Sequence, residues 1–174
     1  MHPPRVAAFS YTGIRQYFLT FCAYMRHPVF TSEETVAAVL GQFRHSANRH
    51  GFAPLAYCLM PDHLHLLCEA RAAESDLVAF VRDAKQRSGF AFARLTGDRL
   101  WQPGFYDRVL RGEDDALAVV RYIVTNPVRA GLAREIGEYP YCGSDLFAME
   151  QIRACSEMWD PGDRRRSAHR PRQP

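Results

Sequence analysis

Two apolar runs, Phe52 to Met60 and His63 to Glu69, stand back to back with only Pro61-Asp62 between them. That dipeptide suits a tight turn, so the runs predict an antiparallel hairpin. Both runs are strongly apolar rather than cleanly alternating, which places the hairpin in the middle of a sheet with both faces covered. Whatever else the chain forms must be layered on these strands. Within the second run His63 and His65 are separated by one residue, and strand side chains alternate with period two. Both imidazoles therefore project from one face. Such a pair can hold a divalent metal ion.

The flanking segments supply the rest of a sheet and its helices. Arg15 to Ala23, rich in aromatic and branched residues, predicts a first strand. Thr31-Ser32-Glu33-Glu34 then marks a helix start, and Val36, Val39, Leu40, Phe43 and Ala47 recur at helical spacing until Gly51. A second helix is predicted from Asp76 to Leu95, with Leu77, Phe80, Val81, Ala84, Ser88, Ala91 and Leu95 inward. Trp101 to Arg111, interrupted early by Pro103-Gly104, predicts a last strand. The order strand, helix, strand, strand, helix, strand matches a ferredoxin-like split β-α-β fold of the α+β class, similar to RNA-recognition-motif domains. Two helices cover one face of an antiparallel sheet. A third helix follows from Glu113, with Glu113, Asp114 and Asp115 suited to the positive end of its dipole. It is expected to end at Asn126, because Pro127 pushes the preceding residue out of helical geometry.

On that third helix Ala116, Leu117, Val120, Ile123 and Val124 form the apolar side, and Tyr122 lies roughly 150° away. Tyr122 is thus not core filling. Asn126 shares its face one turn on, so a phenol and an amide project together and can approach His63 and His65 if that side faces the sheet. The chemistry needs help. An ordinary tyrosine hydroxyl is only about 0.1% ionised at pH 7, a deficit of about 4 kcal/mol. A cation held by two imidazoles and an amide oxygen could offset it by polarising a phosphate.

Composition narrows the partners. At 174 residues and 47% hydrophobic content the chain suits one domain with a tail. Residues 1–150 hold 16 Lys/Arg against 16 Asp/Glu, and the remainder hold 6 against 3, so the net charge of +3 sits in the tail. Arg164-Arg165-Arg166, Arg170 and Arg172 among prolines there suit a disordered basic arm or a solubilising end. Five scattered cysteines without a Cys-x-x-Cys pair argue against a disulfide framework or a structural zinc site. No stretch is apolar for long enough to span a membrane, and Met1 to Arg5 lacks a signal-peptide segment, so a cytoplasmic protein is expected, nucleoid-associated when on DNA.

Three motifs in order carry a resemblance. They are Tyr57-Cys58-Leu59-Met60-Pro61-Asp62-His63-Leu64-His65-Leu66-Leu67, then Trp101-Gln102-Pro103-Gly104-Phe105-Tyr106-Asp107, then Tyr122-Ile123-Val124-Thr125-Asn126-Pro127-Val128-Arg129-Ala130-Gly131-Leu132. Together they resemble the single-tyrosine HUH transposases of bacterial insertion sequences, closest to the REP-associated tyrosine transposase branch. Similarity covers residues 12–146, read as the domain, with 147–174 as the tail. The resemblance implies a transposase that cuts single-stranded DNA beside hairpins through a covalent 5′-phosphotyrosine, with Mg2+ or Mn2+ as cofactor. It makes His63 and His65 the HUH pair, Tyr122 the nucleophile and Asn126 the third metal ligand. It also implies a monomer, with a dimer that exchanges tyrosine helices as the alternative. The segment 138–144 departs from the aromatic-serine pattern usual after the last motif.

Other readings stand beside it. Arg82, Lys85, Arg94 and Arg129 are candidate contacts to the DNA backbone, although a solvated helix face explains the first three as well. Asp62 and Glu69 flank the histidines and could orient them, Asp62 being first a turn residue. Tyr106, Tyr139 and Tyr141 read as packing aromatics and Trp101 as a structural anchor. A non-catalytic single-strand binding module on the same fold, or a small metal hydrolase, remain the competing functions.

Overall fold

In the computed structural model, which describes residues 11–110, 116–144 and 147–157, the chain runs as nine elements. They are β1 (Gln16–Cys22), α1 (Glu33–Arg49), β2 (Phe52–Met60), β3 (His63–Ala70), α2 (Leu77–Thr96), β4 (Tyr106–Leu110), α3 (Ala116–Arg129), β5 (Cys142–Ser144) and α4 (Met149–Glu157). A one-turn 3-10 helix, Tyr24–Arg26, follows β1. The strands form one antiparallel sheet in the order β4-β1-β3-β2-β5. The hairpin sits where its apolar runs require, and Met60 stands opposite His63 across the turn. This is the α+β, split β-α-β arrangement, extended by a fifth strand.

Alternation assigns each strand residue to one of two cores. Tyr17, Leu19 and Phe21 of β1 join Leu64, Leu66 and Cys68 of β3 beneath α1 and α2. Leu67, Cys58, Met60 and Leu110 face the other way, against Val119, Val120, Ile123 and Val124 of α3. The pattern on β2 survives because a bulge between Pro54 and Ala56 absorbs one residue, at the position where a proline leaves no ladder N–H to satisfy. Trp101 is the expected anchor: its indole donates to Ser88 Oγ at 2.9 Å and its ring packs with Phe21, Phe30 and Phe43.

Helix ends follow local chemistry. Ser32 accepts from the Thr35 amide, and Asp76 accepts from the amides of Val78 and Ala79. Gly51 leaves α1 at φ 70°, where a side chain would meet Ser75 Oγ at 2.8 Å.

Several expected boundaries move. The last strand begins at Tyr106, and Trp101 forms only an isolated bridge to Ala23, because Pro103-Gly104 breaks the run. On α2 the inward residue of the last turns is Phe92, whereas Leu95 is exposed. α3 does not stop at Asn126 but continues through Pro127 to Arg129. Proline removes one amide, and the Asn126 side chain answers it: Nδ2 donates to Tyr122 O at 2.7 Å and to Ile123 O, the carbonyl Pro127 leaves free, at 3.5 Å. Residues expected as tail from 147 include α4, whose Ile152 is fully buried in the second core. Glu113, Asp114, Asp115, Arg111 and the arginines from 164 onward lie outside the described residues.

Candidate active site

β1 and β3 place the histidines. Their register sets Thr20 opposite His65 and Cys22 opposite His63, so these four side chains share the face that α3 covers in part. His63 Nδ1 donates to Asp62 Oδ1 at 2.6 Å, and His65 Nδ1 is 2.9 Å from Thr20 Oγ1. Each ring is thereby held by its inner nitrogen. The two Nε2 atoms are left facing one another at 3.1 Å. Arg26 Nε in turn donates to the second oxygen of Asp62 at 2.8 Å, completing a chain from guanidinium to carboxylate to imidazole.

That separation fits a shared ion. Two nitrogens each about 2.1 Å from one cation and at right angles lie about 3 Å apart. Without an ion, the Nε2 pair needs one proton between them. With the Nδ1 proton of His63 directed to Asp62, His65 Nε2 donates to His63 Nε2, and the Thr20 hydroxyl donates to His65 Nδ1. To offer both lone pairs to a cation, His65 must carry its proton on Nδ1 instead. Thr20 then turns from donor to acceptor, which a hydroxyl does by rotating.

Burial also keeps both rings neutral. Desolvation lowers the His63 pKa against the opposing pull of Asp62, and burial with the neighbouring His63 pushes His65 down to about 3. Neutral imidazole is the metal-binding form. A stability consequence follows, because an unfolded histidine takes up a proton near pH 6.5 and the folded His65 does not until about pH 3. Stability contributed by neutral His65 is present above pH 6.5 and is lost as pH falls through that window, by about 3 kcal/mol at pH 4. Melting temperatures of the metal-free protein should fall from pH 7 to pH 4, and His65→Gln should flatten the slope. Equal slopes would refute the assignment.

α3 brings the tyrosine. The Tyr122 ring is 38% exposed and meets Phe18 edge-on at 5.6 Å between centroids and His65 at 5.8 Å. Phe18 stands beneath both, its ring 5.4 Å from that of His65. Arg129 places its guanidinium 5.8 Å from the Tyr122 ring. Asn126 lies one turn beyond Tyr122 and, among the described residues, bonds its own helix rather than either imidazole. Its Oδ1 is the atom suited to a cation.

The remaining candidates separate. Arg82, Lys85 and Arg94 belong to α2, in the layer across the sheet from the histidines. Lys85 Nζ donates to the carbonyls of Gln102 and Gly104, bracing the loop before β4. Glu69 accepts from Gln16 at the far end of the strand pair and does not orient a histidine. Tyr139 donates to Leu59 O at 2.9 Å, a structural bond. Thr20, Arg26 and Phe18 were missed from sequence. Thr20 left a signal, as the lone polar residue inside Tyr17-Phe18-Leu19-Thr20-Phe21-Cys22. Among the described residues no group of three or more His, Cys, Asp or Glu side chains could hold a metal ion.

Paired imidazoles on the middle strand of the sheet thus lie beside a tyrosine carried on α3. The family model described as "Transposase IS200 like" matches residues 15–126, and the chain belongs to that family. It is 26% identical over 87 residues to the REP-associated tyrosine transposase of Escherichia coli K12, covering 49% of this chain and 50% of that protein. A relative from Haemophilus influenzae, given the same name provisionally, is 24% identical over 112 residues, covering 57% of this chain and 62% of that one. The chain thus spans about half the length of the first of these curated relatives. Among solved structures, a REP-associated tyrosine transposase bound to a REP hairpin superposes with a TM-score of 0.65 at 19% identity. That match covers 85% of this chain and 94% of the other, and it bears on the fold. No helix among the described residues is long and apolar enough to cross a membrane.

Proposed function

We propose that this protein is a metal-dependent transposase that cuts and rejoins single-stranded DNA beside hairpin elements of the REP type through a covalent 5′-phosphotyrosine at Tyr122. One observation carries the reading: the Tyr122 ring lies 5.8 Å from that of His65, whose Nε2 is 3.1 Å from that of His63. Nucleophile and cation site thus share one face. Magnesium or manganese, held by His63 and His65 with Asn126 as third donor, would supply positive charge at a phosphate oxygen. Thr20 and Asp62 fix the imidazole rings, so that binding needs only the proton shift on His65 and a turn of the Thr20 hydroxyl. Phe18 props the Tyr122 ring, and Arg129 offers positive charge to a phosphate or a phenolate. In the cut, the phenolic oxygen bonds to phosphorus and the bond to the 3′ oxygen breaks. The proton shed by the phenol is matched by one taken up at that 3′ oxygen. Because the phosphodiester energy is conserved in the adduct, the reverse step onto another strand needs no outside energy.

The direct test is a covalent protein–oligonucleotide adduct on a denaturing gel, using single strands that carry the palindromes beside its own gene, with manganese. A binding module or a hydrolase acting on other substrates gives none. Three uncharged ligands hold a hard cation weakly, so the phosphate is expected to complete the site. Calorimetric titration of manganese should show tight binding only with the strand present. Equally tight binding without DNA would refute that completion.

A further inference from the structure

Directly after β1 the chain does something unusual. Met25 (φ 53°, ψ 22°) and Arg26 (φ 58°) are consecutive non-glycine residues with positive φ, and they are the only ones among the described residues. Left-handed backbone at ordinary residues persists only where the surroundings hold it. Here they do. The Tyr24 amide donates to Leu100 O at 2.7 Å, Ala23 N donates to Asp62 O at 2.9 Å, and Arg26 N donates to Ala23 O at 3.0 Å. The Arg26 guanidinium holds Asp62 and donates to Cys22 Sγ.

The clamp leaves apolar surface exposed just past the end of β1, where Cys22 stands opposite His63. Met25 is 68% exposed and Tyr24 38%, and the Arg99 guanidinium lies 4.7 Å from the Tyr24 ring centroid. Ala23 is still extended, so Tyr24 is next in the alternation that sets Phe18, Thr20 and Cys22 on the histidine side. Cys22 is opposite His63, and two strand residues span about 7 Å. Stacked nucleotides rise about 3.4 Å each, so this distance is one or two nucleotide steps.

We propose that Tyr24, with Met25 and Arg99, is a stacking shelf for an unpaired base flanking the phosphate held at His63 and His65. The proposal rests on the reading of the histidine face as a single-strand site and adds where the neighbouring base goes. An aromatic ring backed by guanidinium groups is the surface on which single-stranded bases stack without regard to sequence. The nearby charges, Arg26 and Arg99, suit its backbone.

The test needs no knowledge of the natural target. Oligothymidylate with 5-iodouracil as its bases is bound, irradiated and digested, and the crosslinked peptide is read by mass spectrometry. The crosslink should map to Tyr24. Tyr24→Leu should weaken binding of the same oligonucleotide about tenfold, while Tyr24→Phe, which keeps a ring, binds as the wild type does. Equal binding by Tyr24→Leu, or a crosslink elsewhere, overturns the shelf and leaves the Tyr122 reading intact. A Tyr24 crosslink on oligothymidylate, together with no Tyr122 adduct on the palindrome-bearing strand, supports the shelf and removes the cutting reaction. Oligothymidylate that does not bind at all overturns the shelf, and the palindrome-bearing strand still tests Tyr122.

Discussion

Tyr122→Phe is expected to lower covalent adduct formation by at least about a thousandfold, because it removes the oxygen proposed to bond to phosphorus. Single-strand binding should hardly change. The ring stays against Phe18 and His65, where it is held by edge contacts that do not involve the hydroxyl. The variant should therefore fold, bind and fail to react. The measurement is the adduct band beside an anisotropy titration of the same oligonucleotide. An adduct that persists in Tyr122→Phe would move the nucleophile elsewhere, and Tyr106, Tyr139 and Tyr141 would have to be tested in turn.

The second large effect separates a ligand from its support. His63→Ala removes one of two imidazoles and should reduce adduct formation about a hundredfold or more, with no recovery at high manganese. Thr20→Val keeps the shape of a β-branched residue in β1 but leaves His65 Nδ1 without its partner at 2.9 Å. Metal affinity should fall about 10- to 100-fold, and excess manganese should restore the reaction. Identical responses to manganese in the two variants would mean that Thr20 does not act through His65.

Much of this arrangement was legible in the chain. The hairpin, the first two helices and the face shared by His63 and His65 follow from periodicity and a turn dipeptide, because both runs are long and strongly apolar. Tyr122 was legible for the opposite reason: it lies off the apolar side of an otherwise regular helix. What escaped depends on contacts between distant residues. Thr20 acts on His65 across 45 residues, through a strand register that no local pattern specifies. β5 is three residues long, too short for a period, and Gly143 is needed there because a side chain would lie 2.8 Å from the Tyr57 hydroxyl. The end of α3 was misplaced because proline usually stops a helix, and a side-chain amide offsets the loss here.

That amide has a wider meaning for the choice of residue at position 126. Of side chains this length, carboxamide alone gives hydrogens to the main chain from one end and keeps lone pairs at the other. Aspartate would grip a cation harder, yet it would turn a negative oxygen upon the Tyr122 carbonyl and lose the bonds that Nδ2 gives the turn before Pro127. Under the proposed function, neutral ligation and an unbroken tyrosine helix are thus a single compromise, written in one asparagine.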